Sequence, residues 1–383
     1  MTISERIRAA QVSVSRAHSY TAGAVISPAV TLTSIATARR TSYLNIKLER
    51  ALNDVFGATY TKNQKIAHIL NKINPGYRDD GLSQSAISGA WKAEKYELEL
   101  GGKGTANWTK DERQMILEKG RLEGVEGHHQ QSVKYHSEEQ ANPDNIKFYK
   151  TREEHLHEGH NGDFKNESDA PMYDRRQRLL DAKRRSVIKN EVLGASIVAV
   201  VSFITTAGLR FVIEMIKSNK NPEDVKNARN LALREGAEAT GYALLSYGLG
   251  KLAIHGGTKV LDYLGIELSK RSIQLFQGGI AAAAIAIGLG VITYFRMRKM
   301  GYDRKESLLQ AGKTAGVSFG IAMISLMISI NLGMSWAIGV NVVIAVCSAS
   351  YMLYTVVHEK NLTEQLQIYT IREMTRRCLP VEA

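Results

Sequence analysis

The chain predicts a mixed, mostly α fold: a small ββα metal-binding finger near its middle, followed by a multi-span α-helical membrane domain. Three observations carry this expectation. Histidines crowd one polar stretch, where the pair His128 and His129 is followed by His155, His157 and His160. Beyond residue 190 come uncharged runs at 192–209, 272–295 and 314–358, each long enough to approach or exceed one bilayer crossing. Between the two lies a basic collar of Arg175, Arg176, Arg178, Lys183, Arg184, Arg185 and Lys189.

A length of 383 residues leaves room for two or three domains. The expected divisions are a helical or irregular region at 1–106, the finger at 107–175, a basic juxtamembrane linker at 176–190, the membrane helices within 191–358 and a tail at 359–383. Lys and Arg number 50 against 38 acids, and the net charge of +12 favours polyanionic partners, whether nucleic acid or anionic membrane lipid. Cys347 lies in an apolar run and Cys378 near the end, which supports neither a disulfide framework nor a thiolate metal site. The histidines remain as candidate ligands.

At the amino terminus Arg6, Arg8 and Arg16 precede a mildly apolar run at 22–38 that imitates a signal peptide. Pro28 and many hydroxyl residues make it a poor one, so an irregular or weakly helical lead is expected. Residues 41–70 place Leu44, Ile46, Leu48, Leu52, Val55, Ile66 and Ile69 among charges, the pattern of two short amphipathic helices broken at Gly57. A turn at Asn74, Pro75 and Gly76 leads to a short helix at 83–91 introduced by Gly81. Its residues 84–88 invite comparison with a helix-turn-helix reader, but nothing else specifies a recognition helix, and a plain packing module is the simpler reading. Gly101, Gly102 and Gly104 read as a flexible joint without phosphate-loop spacing. Thr109 and Glu112 then form a capping box for a helix that stops at Gly120.

Four spans are expected, near 192–213, 273–295, 314–331 and 335–357, the last two divided at Asn331, Leu332 and Gly333. The apolar stretch 239–250 is too short to cross and reads as an interfacial or buried helix. Four crossings put both termini on one side, with the basic collar and the 296–313 connection facing the cytoplasm. A water-soluble all-helical core is the alternative. The three strongest runs hold no Asp, Glu, Lys or Arg, which weighs against an ion-coupled pump. Small residues at 278–290 would let helices pack closely, including in a homo-oligomer.

The histidines suggest a division of labour. A divalent ion held by neutral imidazoles stabilises charge growing on a phosphodiester, while a separate histidine takes a proton from water. Adjacent residues on a strand point to opposite faces, so His128 would be the ligand and His129 the base. Asn145, after the Asn142–Pro143 turn, offers an uncharged amide that fixes the loop and holds the catalytic histidine's backbone. Ile146, Phe148 and Tyr149 supply a second strand, and Thr151 with Glu154 caps the helix carrying the remaining histidines.

Taken in order, the blocks Trp108-Thr109, Gly120-Arg121-Leu122, Gly124 through His129, Ser132-Val133, Asn142 through Phe148, Glu154-His155-Leu156, His160-Asn161-Gly162 and Phe164-Lys165-Asn166 resemble the GHH-type branch of the HNH, or His-Me finger, nucleases. That branch occurs as toxin modules of bacterial polymorphic toxins and conflict systems, and the resemblance covers about residues 107–175. It implies metal binding by His128, His155 and a second helix histidine, proton abstraction by His129 and a structural role for Asn145. It further implies a divalent cofactor (Mg, Mn or Zn), a nucleic acid substrate with DNA expected, and a cognate immunity protein or regulator; together with the apolar spans and basic loops, it leads to the expectation of a cytoplasmic nuclease domain on a bacterial inner membrane.

The sequence departs from the family at the helix. The family spaces its last two ligands four apart, but Gly159 stands four after His155. His160 lies roughly 140° from His155 around an ideal helix, whereas His157 and His160 are about 60° apart. Either Gly159 lets the helix end or bulge so that His160 swings back, or His157 replaces His155. Asp163 also stands where the family tends to have Asn. Two functions follow: a membrane-anchored metal-dependent endonuclease, or a membrane-perturbing, channel-like protein with a non-catalytic finger.

Overall fold

The computed structural model describes residues 3–218 and 221–378. The chain is mostly helical with one two-stranded sheet, and it divides into two compact units, Arg39–Glu191 and Met1–Ala38 with Val192–Ala383. The first helix, α1 (Ile3–Phe56), and α6 (Arg175–Lys217) each contribute residues to both.

In the unit Arg39–Glu191, α1 is followed by α2 (Ala58–Ile73), α3 (Asp80–Glu99), α4 (Lys110–Lys119), β1 (Glu126–His129), β2 (Ile146–Tyr149) and a short α5 (Arg152–Glu154) that runs into a wide turn at His155–Gly159. Asp79 caps α3 by accepting from the Leu82 amide. Thr109 and Glu112 form the expected capping box on α4, and Gly120 ends it in the left-handed region at φ +83°. The core gathers Ala86, Ala90 and Trp91 of α3, Trp108, Ile116 of α4, and Ile146 and Phe148 of β2, with the Trp91 and Phe148 rings stacked 4.0 Å apart.

The segmentation expected from sequence differs from this unit, which runs unbroken across 106 because α3 supplies much of the core beneath the sheet. The helix expected at 83–91 extends over Asp80–Glu99. The break at Gly57 is present, where a side chain would lie 2.2 Å from the Asn53 carbonyl oxygen. The helix before it is far longer than a short amphipathic one.

The glycine joint is a packed turn. Gly101 and Gly104 take positive φ, the Gly104 amide donates to Glu97, and Arg178 donates to the Gly104 carbonyl at 2.6 Å. Arg178 also pairs with both Glu97 oxygens at 2.9 Å. Arg175 is not a surface collar residue: it is 1% exposed, and its guanidinium meets Glu94 at 2.9 Å, the Pro143 carbonyl at 2.9 Å and the Ile146 carbonyl at 2.7 Å. A buried cation persists only when paired and fully hydrogen-bonded, and α3 supplies that carboxylate. Thr105 and the Trp108 indole also donate to Glu94, and these donors with Arg175 hold its carboxyl below the ordinary value against the opposing effect of burial.

The other unit joins the start of α1 to α6, α7 (Pro222–Tyr263), α8 (Lys270–Lys299), α9 (Arg304–Asn331) and α10 (Met334–Cys378). Among the described residues four helices are long and apolar enough to cross a membrane, Arg175–Lys217, Arg271–Lys299, Arg304–Asn331 and Ser335–Arg372, and each contains one of the uncharged stretches expected to span. The stretch 239–250 lies within α7, where Ala243, Ser246 and Tyr247 are buried. The lead segment is helical in α1. Toward its end Ser27, Thr31, Ser34 and Thr37 are buried against protein, and Thr37 donates back to the Thr33 or Ser34 carbonyl, so these hydroxyls do not favour irregular structure.

Candidate metal centre

β1 and β2 pair antiparallel, with Glu126 opposite Tyr149, His128 opposite Lys147 and His129 opposite Ile146. Strand alternation puts Glu126 and His128 on one face and Gly127 and His129 on the other. Gly127 is needed for close packing, since a side chain there would approach Ile87 to 3.1 Å.

After β2, Thr151 caps α5 by accepting from the Glu154 amide at 3.1 Å, and the Glu154 carboxylate accepts from the Lys150 amide at 2.8 Å. The chain then widens into a π turn over His155–Gly159. Its i to i+5 closure brings residues five apart onto one face, which an ideal α-helix would not do. His155 and His160 therefore face together, with ring centroids 5.0 Å apart and lying 4.9 and 4.7 Å from His128. Gly159 is buried beside them, and a side chain there would come within 2.9 Å of the His155 ring. His157 is exposed on the same turn, outside this cluster.

Acceptors orient two of the three rings. His155 Nδ1 donates to the Glu126 carboxylate at 2.5 Å, and His160 Nδ1 donates to the Asn166 carbonyl at 2.8 Å. These bonds fix the tautomers so that each Nε2 keeps its lone pair. His155 Nε2 lies 2.9 Å from His128 Nδ1, and the other His128 nitrogen is buried with no partner among the described residues. Burial, with the neighbouring His155 and His160 imidazoles, pushes His128 down to about 3, so it is neutral at physiological pH. One nitrogen from each ring falls within a 4.8 Å cluster. Oriented imidazoles with an unpartnered buried nitrogen of His128 among them fit a divalent metal ion.

His129 is buried next to this cluster, and its Nε2 lies 3.1 Å from the Gln140 carbonyl oxygen. Donation from Nε2 leaves the lone pair on Nδ1, and burial holds the ring below the ordinary imidazole value. Asn145 is fully buried; its side chain accepts from the Gln131 amide at 2.7 Å and donates to the Gln131 carbonyl at 3.0 Å. The turn that leaves β1 after His129 is thereby pinned.

A cleft of about 310 Å³ opens onto His128, His129, His155 and His160, with Arg78 and Lys134 on its wall. Sequence reasoning assigned no role to Glu126, Gln140, Asn166 or Arg78. Glu126 had a signal, because it stands two residues before His128 and so shares its strand face. The other three reach the site through loops whose course the local sequence does not define.

Residues 81–150 match the family described as a GHH-signature-containing HNH/endonuclease VII superfamily nuclease toxin. Teneurin-1 of Mus musculus is 28% identical over 125 residues and teneurin-1 of Homo sapiens 27% over 125 residues. Each match takes in 32% of this chain and 4% of the teneurin. No solved structure matches the chain. Residues 81–150, which hold His128, His129 and Asn145, thus carry the signature of the GHH nuclease toxins.

Proposed function

We propose that the chain is a membrane-anchored, metal-dependent endonuclease of the toxin class that hydrolyses phosphodiester bonds, with DNA as substrate. The convergence of His128, His155 and His160 beside His129 in one cleft carries this reading. His128, His155 and His160 would hold the ion and Glu126 and Asn166 would orient two of those rings, with His157 left out. A divalent ion held there would stabilise negative charge developing on the phosphodiester. Three imidazole donors suit a zinc-like ion better than magnesium, which prefers oxygen ligands.

His129 would act as the base. With Nε2–H engaged by Gln140, its Nδ1 is the atom that takes a proton from water, and the same carbonyl steadies the imidazolium that results. Its lowered pKa keeps it neutral, and so able to accept, at physiological pH. Asn145 keeps the exit of β1 fixed while this happens. The basic composition favours a polyanionic substrate, and the toxin family supports a cognate immunity protein as partner. The four long apolar helices would hold the chain in a bilayer, with the nuclease unit cytoplasmic at a bacterial inner membrane.

A second reading, a membrane-perturbing or channel-like protein with a non-catalytic finger, has one observation in its favour. Hydroxyls of Thr31, Ser34, Thr314 and Ser318 lie buried among the helices with no hydrogen-bond partner among the described residues. Plasmid cleavage by the purified full chain in detergent, with Zn²⁺, Mn²⁺ or Mg²⁺, separates the two. Cleavage lost on chelation and in His129→Ala is the expected result. A folded, metal-binding chain that cuts neither DNA nor RNA would sink the nuclease reading, and dye release from vesicles would then test the second.

A further inference from the structure

We infer that Arg78 is a phosphate-anchoring residue of the cleft, gripping the backbone of the nucleic acid beside His129. The inference rests on the nuclease reading and extends it to a residue outside the matched segment 81–150. Arg78 lies in the loop between α2 and α3 and shares the cleft wall with His129 and Lys134. Its guanidinium has a loose partner, Asp80 at 3.7 Å, and the two side chains are 62% and 95% exposed. An exposed pair of that kind contributes little and yields readily to a phosphate, which guanidinium can engage through two parallel N–H donors. Lys134, a second cation on this wall, is paired with Glu167 at the same 3.7 Å and is as exposed as Arg78, but its ammonium offers a point charge rather than a fork of two parallel donors.

The loop bearing Arg78 is built rather than slack. Gly76 takes φ +80° and packs so close to the Lys134 carbonyl that a side chain would lie 2.8 Å from it, and its amide donates to Ser137 Oγ at 3.1 Å. Gln140 is fully buried and grips both neighbours of Arg78: its side-chain amide donates to the Tyr77 carbonyl at 3.2 Å, and its side-chain oxygen accepts from the Asp79 amide at 2.7 Å. The backbone carbonyl of that same Gln140 engages His129. One residue therefore sets the position of the proposed base and of the arginine loop together. Such coupling is what a site needs when a phosphate must sit in register with the water to be activated.

The test uses the full chain in detergent on a His129→Ala background, so that nucleic acid binds without being cut. Affinity for a labelled DNA duplex is measured against salt concentration with Arg78, Arg78→Gln and Arg78→Lys. Loss of one phosphate contact is expected to lower the slope of log K against log salt by about 0.9 and to weaken binding about tenfold, with Arg78→Lys recovering part of both. Zinc affinity is expected to stay unchanged, and with His129 restored Arg78→Gln should raise KM more than it lowers kcat. Duplex bound by the parent with an unchanged slope in Arg78→Gln would overturn the role of Arg78 and leave the nuclease reading standing. A parent that binds neither DNA nor RNA would overturn both. Loss of zinc binding in Arg78→Gln would show a structural residue and also overturn the inference.

Discussion

Gly159 decides where His155 can sit, because any side chain at 159 would fall within 2.9 Å of the His155 ring and 3.3 Å of Tyr149. Gly159→Ala is therefore expected to displace one member of the histidine cluster without touching the core under β2. Glu126→Gln removes the charged acceptor that fixes the His155 tautomer. Each change is expected to lower zinc affinity by roughly 10–100-fold, measured by calorimetric titration, with helix content unchanged. Asp144 acts on stability instead. Burial pushes its carboxyl up to about 6 from 3.8, although the Arg175 amide and charge pull the other way. Between those values the folded chain keeps a proton that the unfolded chain has released, so this group's stabilising contribution is complete below about pH 4 and is lost as pH rises to 6. Asp144→Asn keeps an acceptor for the Arg175 amide and removes the charge. Its denaturation midpoint should equal that of the parent near pH 4 and exceed it above pH 6, by a margin of order 1–2 kcal/mol after allowance for partial exposure.

The buried Arg175–Glu94 pair joins the first residue of α6 to the middle of α3, and the Arg175 contacts to the Pro143 and Ile146 carbonyls bring in the approach to β2. Arg175→Met leaves Glu94 charged in the interior and is expected to cost about 3–5 kcal/mol, read from chemical denaturation followed by Trp91 and Trp108 fluorescence. Adding Glu94→Leu should return part of that loss, because an apolar pair of similar volume carries no orphaned charge. These contacts also show what a sequence conceals. The caps at Thr109 and Thr151, the stop at Gly120 and the alternation of His128 and His129 depend on residues a few positions apart, and all were legible. The π turn at His155–Gly159 was legible only as a conflict, because ideal helical spacing keeps His155 and His160 apart while their flanking blocks demand that they meet. Arg175 read as one more charge in a basic run, since neither its burial nor its partner 81 positions earlier leaves a local trace. Gln140 was silent for the same reason: its role lies in three contacts that the fold assembles.

Along α9 the usual distribution of polarity is inverted, and that inversion bears on the whole molecule. On α9 the buried positions are Ser307, Gln310, Ala311, Thr314, Ser318, Ala322, Ser325, Leu326 and Ser329, mostly small or polar with Leu326 the one large aliphatic side chain, while Leu308, Leu309, Val317, Phe319, Ile324 and Met327 are exposed. The buried set recurs every three or four residues and so forms one face. On α10, Trp336, Ile338, Val342, Val343 and Val346 are likewise exposed. A water-soluble bundle would place these the other way round, whereas a bundle in lipid gains nothing from hiding leucine and packs its helices through small and hydroxyl side chains. Charges near the ends of the candidate spans pair with one another, as Arg210 does with Glu214 at 2.8 Å and Glu235 at 3.6 Å. Ile324, 53% exposed near the centre of the apolar part of α9, discriminates between the two environments. In water, Ile324→Arg should change stability by no more than about 0.5 kcal/mol. In a bilayer it should cost about 2.5–3.5 kcal/mol, a shift of roughly two orders of magnitude in the insertion equilibrium of α9. Glycosylation sites placed on either side of α9 in the full chain would read that equilibrium directly. A strong loss of insertion is expected for Ile324→Arg and little change for Ile324→Leu; equal insertion of the two would mean that the apolar face of α9 meets water or another protein rather than lipid.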